Sequence, residues 1–249
     1  MAQYNQPFGN SHISTTVKGK MGNMILSKYP PSSVQYIDMA GNSRQAHVMS
    51  LNFAQSLGGN PLQVAVCSTH LTAFPWLREG LRKRQLEQLT AALTGRFDVC
   101  VCMGDFNFHR EAENSSIPAG WTELPAVVAL GATWDYARNA MLAHYLPLRN
   151  IYNGLGLSPA LAWPSPMRLD RVIMQCKTPK AATATTNVSA RIFGDEPIHE
   201  RARSRASLPM TGPELARLHR ALPWEEYLFQ SDHFGIFLEL PLFAAEKEN

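Results

Sequence analysis

The stretch Met103-Gly104-Asp105-Phe106-Asn107 closes a short apolar run, residues 99–103. The run reads as a strand buried on both faces. Strand side chains alternate, so an acid and an amide two apart can face one pocket. Asp105 has the chemistry to hold a metal ion or move a proton. Asn107 can orient a phosphoryl oxygen or a water. By itself Gly-Asp-x-Asn also fits a tight turn. Its meaning depends on what the rest of the chain brings to the same edge.

Working outward, apolar runs at 23–27, 34–39, 47–53, 62–69, 98–103, 171–175 and 235–240 predict strands. Runs 62–69 and 98–103 are apolar on both faces, as central strands between layers would be. Between them, residues 76–93 predict a helix. Leu86, Leu89 and Leu93 form its apolar stripe, Arg78, Arg82, Lys83 and Arg84 a solvated basic face, and Gly95 its stop. Residues 177–190 are small, polar and rich in Thr and Ala, and read as a surface excursion. Arg201, Arg203 and Arg205 follow, then a short helix capped by Thr211. The expected organisation is a polar segment 1–21, one domain over 22–243 with an insertion at 177–227, and a charged tail 244–249.

At 249 residues and 45% hydrophobic, the chain has ample material for one large α/β domain. No apolar stretch reaches the roughly 20 residues of a membrane span. The first 20 residues lack the apolar core of a secretory signal. Cys67, Cys100, Cys102 and Cys176 lie mostly inside apolar runs, which predicts buried free thiols and a reducing location, nuclear or cytoplasmic. The net charge of +3 permits a nucleic-acid partner without requiring one.

Further polar groups fall at the edges of predicted strands: His70, Asp170, and Asp232 with His233. Strand termini are where α/β layers place chemistry. Read singly, each has a plain alternative: a buried histidine, an ion pair between Asp170 and Arg171, a turn at 231–232. Together they are the residue types of metal-assisted phosphodiester hydrolysis. A carboxylate aligns water, an amide fixes it, imidazoles neutralise phosphoryl charge, and Mg²⁺ shields the oxygens. Mg²⁺ suits a site of few carboxylates because it keeps several waters.

The segments Gly22-Asn-Met-Ile-Leu-Ser-Lys-Tyr-Pro30, Thr69-His-Leu71, Gly104-Asp-Phe-Asn107, Leu169-Asp-Arg-Val172 and Ser231-Asp-His233 resemble, in this order, the endonuclease/exonuclease/phosphatase superfamily. Thr133-Trp134-Asp135 is most similar to the tyrosyl-DNA phosphodiesterase 2 branch. The resemblance implies a two-sheet α/β sandwich with helices outside. It implies that Asp105 activates or holds the attacking water while Asn107 orients it. His233 would contact the scissile phosphate, with Asp170 orienting its imidazole, and His70 would contact a phosphoryl oxygen. Asp232, with Asp105, would attend the metal, Mg²⁺ or a substituting Mn²⁺. Trp134 and Asp135 would shape the substrate channel.

The family also places an Asn on its first strand and a Glu on the next. The 21 residues before Gly22 contain no Glu. The expectation is therefore an N-terminally incomplete sandwich, from a shortened gene model or an inactive relative. The expected partner is a phosphodiester, with single-stranded DNA or a DNA–protein adduct as one form, acted on by a monomer. A lipid or inositol phosphodiester is the alternative substrate, and a non-catalytic scaffold the alternative role.

Overall fold

The computed structural model describes residues 12–18, 21–41, 44–54, 61–73, 78–135, 138, 166–177, 188–193, 233 and 235–240. The two doubly apolar runs become β5 (Leu62–His70) and β6 (Val99–Asp105), which pair in parallel. Parallel neighbours need a crossover, and α1 (Glu79–Leu93) supplies it. Leu86, Leu89 and Leu93 are fully buried against Cys67, Cys100 and Cys102 of these strands. Each such leucine contributes about 2 kcal/mol of apolar burial. Gly95, at φ +73°, ends the helix region in the left-handed conformation that glycine adopts without strain.

Around this pair grows a six-stranded mixed sheet in the order β3-β4-β5-β6-β8-β7. Its other members are β3 (Ser33–Asp38), β4 (Gln45–Phe53), β7 (Thr122–Glu123) and β8 (Asp170–Cys176). The expected strands are found with ends shifted by a few residues. A short helix, α2 (Pro125–Val128), follows β7 and adds Val127 to the core.

The face opposite α1 carries a second, smaller layer of two antiparallel pairs. One is β1 (His12–Lys18) with β2 (Met21–Ser27). The other is β9 (Ser189–Phe193) with β10 (Gly235–Glu239). Ile25 of β2 packs on Met49 and Leu51 of β4, while Ile236 and Leu238 of β10 pack on Val64, Val99 and Val101. The result is the expected α/β sandwich of two sheet layers with helix outside.

Two expectations change. Residues 12–18, read as part of a polar segment outside the domain, form β1; His-Ile-Ser-Thr-Thr-Val-Lys is rich in β-branched residues, which favour strands even when polar. Ser189–Phe193, inside the expected insertion, is a strand paired to β10. The Thr211 helix, Arg201, Arg203, Arg205 and Asp232 lie outside the described residues.

Gly104 fixes how closely β5 and β6 approach. Its φ is +138°, and a Cβ there would stand 1.9 Å from the Thr69 carbonyl oxygen. Relief requires the strand ends to separate, at the point where His70 faces Asp105. Gly104→Ala should therefore cost about 3 kcal/mol or more, through both strain and clash. Urea unfolding would measure it; a loss under about 1 kcal/mol would show that the backbone moves freely here.

Candidate active site

The sheet brings three predicted residues into one row. His70 ends β5 opposite Asp105 at the end of β6, and Asp105 lies opposite Asp170 at the start of β8. Register alone thus gathers one imidazole and two carboxylates from three distant parts of the chain. His70 Nε2 is 3.3 Å from Asp105 Oδ2. His233, just before β10, closes the row from the second layer. Its Nδ1 is 2.8 Å from Asp170 Oδ2, and its Nε2 is 3.9 Å from Asp105 Oδ2. An ionised carboxylate can only accept, so the short contact assigns the proton to Nδ1 and turns Nε2 toward Asp105.

Asn107 takes φ +52°, a conformation asparagine tolerates better than most residues. The turn folds its backbone N–H onto Asp105 Oδ1 at 2.8 Å. Its side-chain Nδ2 donates to Asp105 Oδ2 at 2.9 Å and to the Leu71 carbonyl at 3.0 Å. So Gly-Asp-Phe-Asn does form a turn, and that turn folds Asn107 back onto the Asp105 carboxylate. Leu71 N–H donates to the Asp105 carbonyl at 2.9 Å, joining the two strand ends.

Asp105 is mostly buried, 15% exposed at the side chain. Burial, and then the negative charge of Asp170, push its carboxyl up to about 7; His233, the Asn107 N–H and Arg44 pull the other way. Arg44 is a site neighbour that the sequence did not reveal. It stands immediately before β4, at the edge where the antiparallel β5 ends. Burial lowers the pKa of its guanidinium, against the pull of Asp105. Its Nη1 is buried with no hydrogen-bond partner among the described residues. Nothing in the motif spacing points to it, since only strand register places it there.

Thr133 reaches the site as well: its Oγ1 accepts the Asp170 N–H at 3.0 Å. Trp134 does not offer a face to substrate here. It is 2% exposed, and its backbone exchanges hydrogen bonds with Met167, just upstream of Asp170. Asp135 is partly buried at the end of this segment.

Among the described residues, no group of three or more His, Cys, Asp and Glu could by itself hold a metal ion. A dedicated protein cage is thus not formed by them. A water-rich hard cation needs only one or two carboxylates. Asp105 suits it, since a nearby cation would restore the charge that burial and Asp170 oppose.

Acid, amide and imidazole groups thus meet at one end of the central strands of a layered α/β sandwich. The chain belongs to the Endonuclease/Exonuclease/phosphatase family, whose model matches residues 2–233. This family is hydrolytic. Among solved structures, the chain is similar to truncated TDP2 of Caenorhabditis elegans, with 19% identity, 92% of this chain and 74% of that one covered, and a TM-score of 0.54. It is also similar to D. rerio TDP2 complexed with single strand DNA product, with 15% identity, 90% and 75% covered, and a TM-score of 0.53. A beta toxin of Staphylococcus aureus matches at 15% identity over 87% and 67%, with a TM-score of 0.50. These identities establish a shared fold. None of the curated proteins matches the chain.

Proposed function

We propose that this protein is a divalent-metal-dependent phosphodiesterase acting on DNA ends, with a 5′-phosphotyrosyl adduct as the substrate type. The observation that carries this reading is the row His70–Asp105–Asp170 with His233 held 2.8 Å from Asp170. Asp105, with Asn107 locked against it, aligns the attacking water opposite the scissile bond. His233 presents Nε2 to a phosphoryl oxygen, and Asp170 fixes that imidazole's tautomer and angle. His70 and Arg44 face the same space and oppose the negative charge that grows on the phosphoryl oxygens. Mg²⁺, for which Mn²⁺ can substitute, would be held by Asp105 and by Asp232, and would shield phosphoryl charge when bound. The TDP2 structure with single strand DNA product supports a DNA substrate for this fold. Cys67, Cys100, Cys102 and Cys176 are free thiols, which supports a reducing, nuclear or cytoplasmic setting.

The same chemistry serves a lipid or inositol phosphodiester, because fold and centre do not choose the leaving group. A scaffold role without catalysis is the third reading. One experiment separates all three. The protein is given a 5′-phosphotyrosyl oligonucleotide and, separately, sphingomyelin vesicles, each with Mg²⁺ and again with excess EDTA. Cleavage of the oligonucleotide that EDTA abolishes is the expected result. Cleavage of the vesicle lipid alone would replace the substrate class, and no turnover of either would favour the scaffold.

A further inference from the structure

The basic face of α1 is not wholly solvated. Arg78, Lys83 and Arg84 are exposed, but Arg82 is fully buried, as is Gln85. A buried guanidinium costs several kcal/mol in desolvation unless it is paired and hydrogen-bonded. Arg82 Nε and Nη2 each lie 2.7 Å from Glu113 Oε2, and Nη1 donates to the Thr72 carbonyl at 3.3 Å. The other oxygen of Glu113 accepts the His109 N–H at 2.9 Å and the Arg110 N–H at 3.3 Å. Gln85 Oε1 accepts the Thr72 N–H at 2.9 Å, while its Nε2 donates to the Ala40 carbonyl at 2.8 Å and Thr72 Oγ1 at 2.9 Å. Gln88 adds a bond from the Ala40 N–H at 2.7 Å.

Every one of these long-range ties ends on a loop at the site edge. Thr72 lies two residues after His70, His109 two after Asn107, and Ala40 four before Arg44. As an ion pair alone, Arg82 and Glu113 would often be matched in stability by an apolar pair of similar volume. What apolar packing cannot do is grip backbone N–H and C=O groups of irregular loops at fixed positions. We propose that Arg82, Glu113 and Gln85 are positioning residues: from the far face of the sheet they clamp the loops that set His70, Arg44 and Asn107 around Asp105. The proposal rests on the phosphodiesterase reading above.

The test is the double change Arg82→Met with Glu113→Leu, which removes both charges together and so avoids stranding one of them. The variant should still fold but melt several degrees lower, because the His109 and Arg110 N–H groups and the Thr72 carbonyl lose their side-chain partners. With a chromogenic phosphodiester and Mg²⁺, kcat should fall about 10²-fold while KM changes less than about twofold, as for groups displaced around a bound substrate. Amide exchange at His109, Arg110 and Leu71 should quicken by about tenfold or more. Leu71 is the decisive amide, since its bond to the Asp105 carbonyl joins the two sides of the site and touches neither altered residue. Unchanged kcat in the folded variant would overturn the proposal. If the unaltered chain has no phosphodiesterase activity, the functional reading fails, and Leu71 exchange still decides the positioning: quickened supports it, unchanged overturns it. Should the double variant not fold, Gln85→Met is read by the same rates, with the same outcomes on either side.

Discussion

Asp105→Asn should lower the phosphodiesterase rate by about 10²-fold or more, the scale of losing one acid–base group. The amide keeps the size of the carboxylate, but it can accept from one Asn107 donor where the carboxylate accepts from two, and it cannot carry the charge that aligns water and attracts a cation. The lost bond is offset in the fold by removal of a charge that burial and Asp170 oppose. Burial and Asp170 raise this carboxyl from its usual 3.8 to about 7. The unfolded chain therefore gives up the proton first, and the ionised group weakens the metal-free fold as pH rises through that window. Above it, at pH 8, the Asn variant should melt at the same temperature or higher. Activity lost with stability kept is the signature of a functional charge placed against the interests of the fold. Near-normal turnover would remove Asp105 from the chemistry.

Asp170 and His233 should behave as one unit. The 2.8 Å contact makes the carboxylate the orienter of the imidazole. Changing either to Ala should cost about 10²-fold in kcat/KM, and changing both should cost little more, as coupled catalytic groups do. A double-mutant cycle measures the coupling directly. Fully additive losses would show that the contact carries no catalytic role, even though the two groups touch. The Asp170 N–H also donates to Thr133 Oγ1, so Thr133→Val offers a milder displacement of the same carboxylate without touching its charge.

The central sheet was legible because its strands are apolar on both faces, and α1 because its leucines recur at helical spacing. Polarity hid β1 and β9, two of the four described strands of the second layer. The residues of β1 are largely Thr, Ser and Lys, and β9 sits beside a stretch of Thr and Ala, so neither shows the apolar run that betrays a buried strand. Within the site, Asp105 and Asn107 were readable from their spacing, and His70 and Asp170 from their position at strand ends. Arg44 and the pairing of Arg82 with Glu113 were not. Arg44 reaches Asp105 only through the register of β4 on β5, and Arg82 looks on the sequence like one more member of a basic helical face. Long-range register and the burial of a single charge are tertiary facts that local pattern does not encode. Asn114 makes the same point: it opens a glycosylation sequon by sequence, yet its amide oxygen accepts from the buried Arg171 at 2.9 Å.

The most direct test of the row His70–Asp105–Asp170–His233 as a hydrolytic centre is the steady-state rate on bis(p-nitrophenyl) phosphate across a Mg²⁺ titration. It is run for the unaltered chain and for Asp105→Asn side by side. The account predicts a rate that rises with Mg²⁺, vanishes in EDTA and falls about 10²-fold in the variant. Equal rates for the two proteins, or a rate indifferent to the metal, would contradict it.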